Sequence, residues 1–168
     1  YFNLSLYDAA AQHRRRALAL AERLHGRNSD TALQLIAGLA SATGTQGHYP
    51  EALALFDEAR RGLEALHGPG WAPLQVLRVE AADTAFAAGM FQRAIDELGS
   101  LLDTPAQSAL LSDEEHNDAT GRLGTFYMWL GDLPRAEALH REAVRGRERT
   151  LGQEHLATAV ARLGLAAV

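Results

Sequence analysis

The sequence contains neither cysteine nor lysine. The absence of cysteine excludes a disulfide scaffold and a zinc-thiolate site, and it leaves the compartment open. All 16 basic residues are arginine, and a net charge of −5 does not supply the basic surface that a nucleic-acid partner needs. No apolar run approaches the roughly 20 residues that cross a bilayer, and the first residues do not resemble a signal peptide, which favours the cytoplasm.

The remaining composition is that of an ordinary folded chain. Hydrophobic residues make up 47% and charged residues 22% of the 168 residues, which is typical of a globular rather than a disordered protein. A chain of this length can bury a core as one compact domain or as a short solenoid.

A period of 42 residues runs through the chain. Gly47, Gly89 and Gly131 lie 42 residues apart. Each is followed by a large apolar residue and then by a small one, in the pairs Tyr49 and Ala52, Phe91 and Ala94, Leu133 and Ala136. Tyr7 and Ala10 extend this register upstream, which gives four copies. Such a period indicates stacked supersecondary units.

Within each period the apolar residues recur at steps of three and four, which predicts helices. Glycines at a second phase (Gly26, Gly68 and Gly152, with Leu110 in the third copy) predict helix ends, and Ser29 is placed to cap the next helix. We predict first helices over residues 31–44, 73–88 and 117–130, paired with second helices over residues 50–66, 91–102 and 134–151. No strand signal remains.

The phrases "LASATGTQGHYPEA", "AADTAFAAGMFQRA" and "LGTFYMWLGDLPRA" resemble tetratricopeptide repeats over the whole chain. The 42-residue period is similar to the long subtype found in kinesin light chains and in many bacterial signalling and regulatory proteins. The resemblance implies an all-α, right-handed solenoid of helix-turn-helix units with repeat phases near residues 1–26, 27–68, 69–110, 111–152 and 153–168. The third copy departs from the pattern at Arg78 and Ala81, and the segment after Thr104 reads as a looser connector.

Both ends of the sequence fall in the middle of a repeat unit. We therefore expect the array to be part of a longer protein. Apolar faces at residues 1–4 and 163–168 should then be covered by another molecule or by further sequence, so self-association is a second expectation.

The resemblance places the first helices on the concave side of the stack, where it implies protein or peptide binding. Residues spaced i, i+3 and i+7 away from the buried stripe share one helical face. These candidate groove residues are Gln34, Ala37, Ser41 and Thr45, then Val76, Val79, Asp83, Phe86 and Ala87, then Asp118, Gly121, Arg122, Thr125, Met128 and Trp129. Core packing remains an alternative for Phe86, Met128 and Trp129. We expect Arg122 to face an acidic group of the ligand and Asp83 a donor.

Other functions find less support in the residues. No catalytic motif, cofactor motif or metal-ligand spacing occurs, and His25, His67 and His155 follow the repeat rather than converge. The acidic cluster from Asp113 to Asp118 is expected to cap a helix. The arginines at 14–16 and at 145, 147 and 149 are expected mostly on the solvated outer surface. Binding of a small molecule in the same cavity, by a sensor that transmits a change of curvature, is the alternative to peptide binding.

Overall fold

The computed structural model describes the backbone from Phe2 to Val168 and the side chains from Gln12 onward. This part of the chain contains no strand and nine helices: α1 (Phe2–His25), α2 (Asp30–Thr45), α3 (Tyr49–His67), α4 (Pro73–Ala87), α5 (Phe91–Asp103), α6 (Pro105–Ser108), α7 (Asp113–Leu130), α8 (Leu133–Leu151) and α9 (Leu156–Ala166). The six predicted helices are confirmed to within one residue at each end, except that α7 begins four residues early. The short α6 lies in the predicted connector.

The chain divides into two compact units, Tyr1–Gly89 and Met90–Val168. Unit 1 contains α1 to α4, and unit 2 contains α5 to α9. In the described helices there is no stretch with the length and apolar character needed to cross a membrane.

In unit 1, α2 and α3 form a helical hairpin with Ile36 and Phe56 in its core. The turn uses Gly47 at φ 84°, a left-handed conformation that strains residues with a Cβ. Ala52 is fully buried, and its Cβ lies 3.6 Å from the position that a Cβ on Gly44 would take. The two helices thus approach closely beside the turn, where the small residue of the repeat lies.

In unit 2, α7 and α8 form the equivalent hairpin, with Ala136 fully buried. The N-terminus of α7 is closed by a capping box, because the Ser112 hydroxyl accepts from the Glu115 N–H and the Glu115 carboxylate accepts from the Ser112 N–H at 2.8 Å. The Ser112 hydroxyl, which also donates to the Glu115 carboxylate at 2.7 Å, and the Ser112 N–H together lower the pKa of Glu115. The capping function predicted for the acidic cluster is confirmed, and so is the cap by Ser29, whose hydroxyl accepts from the Ala32 N–H.

Each hairpin also has a second close approach that the sequence analysis overlooked. Gly62 on α3 faces Leu33 on α2, and Gly146 on α8 faces Asn117 on α7. In both cases an added Cβ would overlap the facing side chain. We call this contact of a glycine with the facing side chain the glycine notch. The two pairs lie two repeat periods apart, so the glycine notch recurs with the repeat.

The predicted apolar face at residues 1–4 lies outside the described side chains. At the other end of the sequence, α9 exposes Leu156 (77%), Val160 (54%) and Leu163 (70%). Their spacing of four and three residues places them on one side of the helix.

Candidate binding grooves

Unit 1 contains a groove of about 670 Å³ that we call the first groove. Arg14 on α1 and Gln34 and Ser41 on α2 line one side. The lining also includes Leu63 on α3, Trp71 in the loop before α4, and three residues of α4, namely Val76, Leu77 and Glu80. The Ser41 hydroxyl donates to the Glu80 carboxylate and so connects α2 to α4.

A second cavity of about 440 Å³ adjoins the first groove and shares Ser41 and Glu80 with it. Thr45 on α2 and Asp83 on α4 line this cavity. The structure therefore brings seven of the nine candidate residues of unit 1 to one connected surface, namely Gln34, Ala37, Ser41, Thr45, Val76, Asp83 and Ala87. Val79 and Phe86 are half-buried and belong to neither lining as described.

Trp71 is a groove residue that the sequence analysis did not identify. Its indole stacks on the His67 imidazole, with ring centroids 4.2 Å apart and planes inclined by 21°. The Nε2 atom of His67 pairs with Oδ1 of Asp30. The Gln34 amide donates to Oδ2 of Asp30 at 2.6 Å. A tryptophan in a Gly-Pro-Gly loop directly before a predicted helix was the available signal.

Unit 2 contains the second groove, of about 340 Å³, between α7, α8 and α9. Its lining includes four of the candidate groove residues: Asp118, Gly121, Arg122 and Thr125. Met128 is half-buried and Trp129 is 65% exposed, and neither belongs to this lining as described. An exposure of 65% is incompatible with core packing of the Trp129 side chain in unit 2.

The second groove is charged. Asp118 accepts from Arg122 Nε at 2.8 Å and from Arg147 Nη2 at 2.9 Å. The Arg147 side chain is only 13% exposed, and its Nη1 donates to the Ala157 carbonyl at 3.4 Å. The expectation that Arg147 lies on the solvated outer surface is therefore wrong. Arg147 occupies the repeat position of the buried Leu63, two periods earlier, and this register was the signal that could have placed it.

His140 lies at the back of the second groove and is 4% exposed. A Cβ added at Gly124 would come within 3.2 Å of its Nε2, and one added at Gly164 within 3.0 Å of its Nδ1. Nε2 has no hydrogen-bond partner within the described residues. Burial lowers the pKa of His140, because the charged imidazolium is poorly solvated there.

The two grooves occupy equivalent positions in the repeat and differ in chemistry. Two periods separate Gln34 from Asp118, Gly38 from Arg122 and Leu63 from Arg147. Among the described residues, no group of three or more histidine, aspartate or glutamate side chains is arranged to hold a metal ion.

Comparison with known proteins agrees with this architecture. Residues 33–70 and 118–157 match the sequence profile of the Tetratricopeptide repeat family. A Podosopora anserina protein described as a kinesin light chain with nearly identical TPR-like repeats has a TM-score of 0.83 at 20% identity, over 99% of this chain and 79% of that chain. A substituted form of that protein gives 0.84 with the same identity and coverage. BtubC (BKLC) from P. vanneervenii gives 0.71 at 20% identity, over 97% of this chain and 63% of that chain. No curated protein sequence gave a significant match.

The two matched segments cover most of the hairpins α2–α3 and α7–α8, each of which contributes to one groove. The resemblance to kinesin light chain-like repeats and the all-α fold class of stacked helical hairpins are thus confirmed.

Proposed function

Because the chain carries tetratricopeptide repeats, we propose that it is a protein- or peptide-binding module whose partner occupies the grooves bordered by α2, α4 and α7. Repeats of this family generally mediate protein–protein interaction. The observation that carries the proposal is the recurrence of an open groove at equivalent repeat positions in both units. We propose no catalytic function and no cofactor.

The lining residues support binding of a partner chain. Clefts that bind ligands combine apolar surface with a few placed polar groups. The first groove offers Trp71 and Val76 beside Gln34 and Ser41, and the second offers Thr125 beside its arginines. Trp129 on α7 exposes 65% of its surface, and tryptophan and arginine often dominate binding energy at interfaces.

The proposed partner presents an acidic group to Arg122 and a donor to Asp83, since a guanidinium can hold a carboxylate at two points. Val79, Phe86 and Met128 are half-buried side chains of the same helices and belong to the proposed surface. For the wider setting we propose the sensory or scaffolding part of a bacterial signalling or transcriptional regulator, as the repeat subtype implies.

A small-molecule ligand is the second candidate. The first groove, at about 670 Å³, has a volume in the range of pockets that bind metabolites and drugs. A metabolite that raises the melting temperature of the chain, while no selected peptide binds, would favour this alternative.

The test uses a peptide selected on the intact chain from a random library. It is titrated against the wild type, Trp129→Ala and Arg122→Glu, with the exposed Arg61→Ala as a matched control. We expect Trp129→Ala to weaken binding by about 2 kcal/mol or more. Its melting curve should stay nearly unchanged, because the side chain is exposed. If all four proteins bind the peptide equally while folded, the second groove and Trp129 are not its binding surface.

A further inference from the structure

The first groove has an apolar wall that its counterpart in unit 2 lacks. Leu63, Trp71 and Val76 form this wall. Two periods later the positions of Leu63 and Trp71 are held by Arg147 and His155. Arg147 is tied to Asp118, and His155 instead caps α9 through its own ring nitrogen. The difference between the two grooves therefore resides mainly in Leu63 and Trp71.

We propose that the first groove takes an uncharged apolar side chain of the partner against Trp71, and that His67 is the positioning residue that holds the indole in place. This inference rests on the proposed function and specifies the chemistry of one of its two grooves.

The charges around the groove favour an uncharged occupant. Among its described lining residues, Arg14 and Glu80 carry the only charges, of opposite sign, and Glu80 already accepts from Ser41. A charged ligand group would be attracted by one of these two side chains and repelled by the other. Contact with the apolar atoms of the wall favours the binding of an apolar side chain, because its burial removes hydrocarbon surface from water.

The position of Trp71 depends on contacts outside its own loop. Gly68, Pro69 and Gly70 separate it from α3, and Gly68 has φ 81°, so the loop offers few side chains that could fix the indole. The indole packs against the core of unit 1, and the stack on His67 fixes its orientation there. His67 is held in turn by Asp30, at the start of α2. We call the pair of His67 and Asp30 the latch.

The latch connects both sides of the first groove. Asp30 accepts from His67 with one oxygen and from the Gln34 amide with the other, at 2.6 Å. Gln34 lines the groove on α2, and Trp71 lines it from the loop before α4. Loss of the latch should therefore let the indole change its orientation and weaken the binding of an apolar side chain, while the hairpin α2–α3 stays folded around its core.

The experiment follows Trp71 directly. The chain has two tryptophans, so in the Trp129→Phe background the indole N–H of Trp71 gives a single NMR signal. N-acetyl-L-phenylalaninamide is the probe, with N-acetyl-L-alaninamide and the charged N-acetyl-L-aspartic acid amide as references. We expect a saturable shift of the Trp71 signal with the phenylalanine probe, and much weaker effects with the two references.

Variants of His67 test the positioning role. His67→Ala should move the Trp71 signal before any probe is added and raise the dissociation constant of the probe about two- to tenfold, as expected for the loss of one aromatic contact. His67→Phe, which keeps a ring for the stack, should restore most of the affinity. His25→Ala is the matched control, because His25 stands one period earlier, where Ser29 takes the place of Trp71. It should leave the probe's dissociation constant unchanged.

Several outcomes would overturn the inference. The absence of a saturable shift with the phenylalanine probe, or tighter binding of the aspartate reference, would contradict the proposal that the first groove binds an apolar side chain. Equal affinity in His67→Ala and the wild type, with both folded, would contradict the positioning role. Should His67→Ala fail to fold, equal affinity in His67→Leu and His67→Phe would contradict it, because leucine keeps apolar bulk but offers no ring for the stack. Either failure is separable from that of the proposed function, since selected peptides would still bind through Arg122 and Trp129.

Discussion

At the scale of single residues, His140 changes the character of a repeat position. The same position holds Phe56 and Leu98 in earlier copies, and both are buried. His140 is also buried, between Gly124 and Gly164, but it brings a ring nitrogen that has no partner within the described residues. A buried polar group left unpaired costs about 1–3 kcal/mol. An apolar side chain at residue 140 would therefore make unit 2 more stable than His140 does.

His140 also predicts a pH dependence of stability. Its folded-state pKa is lowered by burial. Above the unfolded-state pKa of about 6.5, His140 is neutral in both states and the folded state has its full stability. As the pH falls below that value towards the folded-state pKa, the unfolded chain takes up the proton first and the free energy of unfolding decreases. The charged groups that line the same groove are Asp118 and Arg122 on α7 and Arg147 on α8, while α9 contributes only uncharged residues to the described lining. Two arginines and one carboxylate would not favour a further cation.

We expect His140→Leu to be more stable than the wild type by about 1 kcal/mol at pH 7, and by more at pH 5.5. Urea unfolding between pH 5 and 8 measures this. The exposed His48→Gln serves as the control and should follow the wild-type profile. Parallel profiles for His140→Leu and the wild type would show that the buried ring does not titrate in this range.

At the scale of helices, the small residues beside each turn set how closely a hairpin closes. Ala52 and Ala136 are both fully buried between their helices. Replacing either by leucine should overpack the pair and cost about 1–3 kcal/mol. The exposed Arg61→Ala should stay within about 0.5 kcal/mol. Thermal unfolding measures all three variants, and equal shifts would contradict the assigned packing register.

The glycine notch in α8 gives a second prediction for helix packing. In an open helical position, glycine to alanine stabilises by about 0.5–1 kcal/mol. Gly99→Ala on α5 should show this gain, since an added Cβ meets nothing within 4 Å. Gly146→Ala should instead destabilise, because the new Cβ overlaps Asn117. The double variant Gly146→Ala with Asn117→Ala should recover most of the loss in chemical unfolding, and no recovery would mean that the notch does not pack against Asn117.

The helices could be predicted from the sequence because their signals are local. Apolar spacing identifies the buried face of each helix, and Gly47 and Gly131 mark the turns. The contacts of Gly146 and Arg147 could not be read in this way, since spacing within one helix does not show which side chain faces it from the next. Trp71 was missed for a similar reason, because its place in the groove depends on a stack across a loop.

At the scale of the whole molecule, a net charge of −5 conceals two grooves with different local charge. The described lining of the first groove pairs one arginine with one glutamate. The second groove contains two arginines and one aspartate, a local excess of positive charge. One repeat scaffold has thus placed an apolar surface in unit 1 and a cationic one in unit 2, with only a few substitutions at equivalent positions.

This difference predicts which peptides the intact chain selects from a random library. One class should be apolar and should be lost with Trp71→Ser. This variant introduces the residue type that Ser29 supplies at the equivalent position one period earlier. A second class should carry acidic residues and should be lost with Arg122→Gln, because the guanidinium is then absent. Sequencing the peptides that survive selection on each variant measures both losses. A single class that responds equally to both variants would contradict the assignment of different chemistry to the two grooves, whereas retention of each class by the other variant would show that the grooves select their ligands separately.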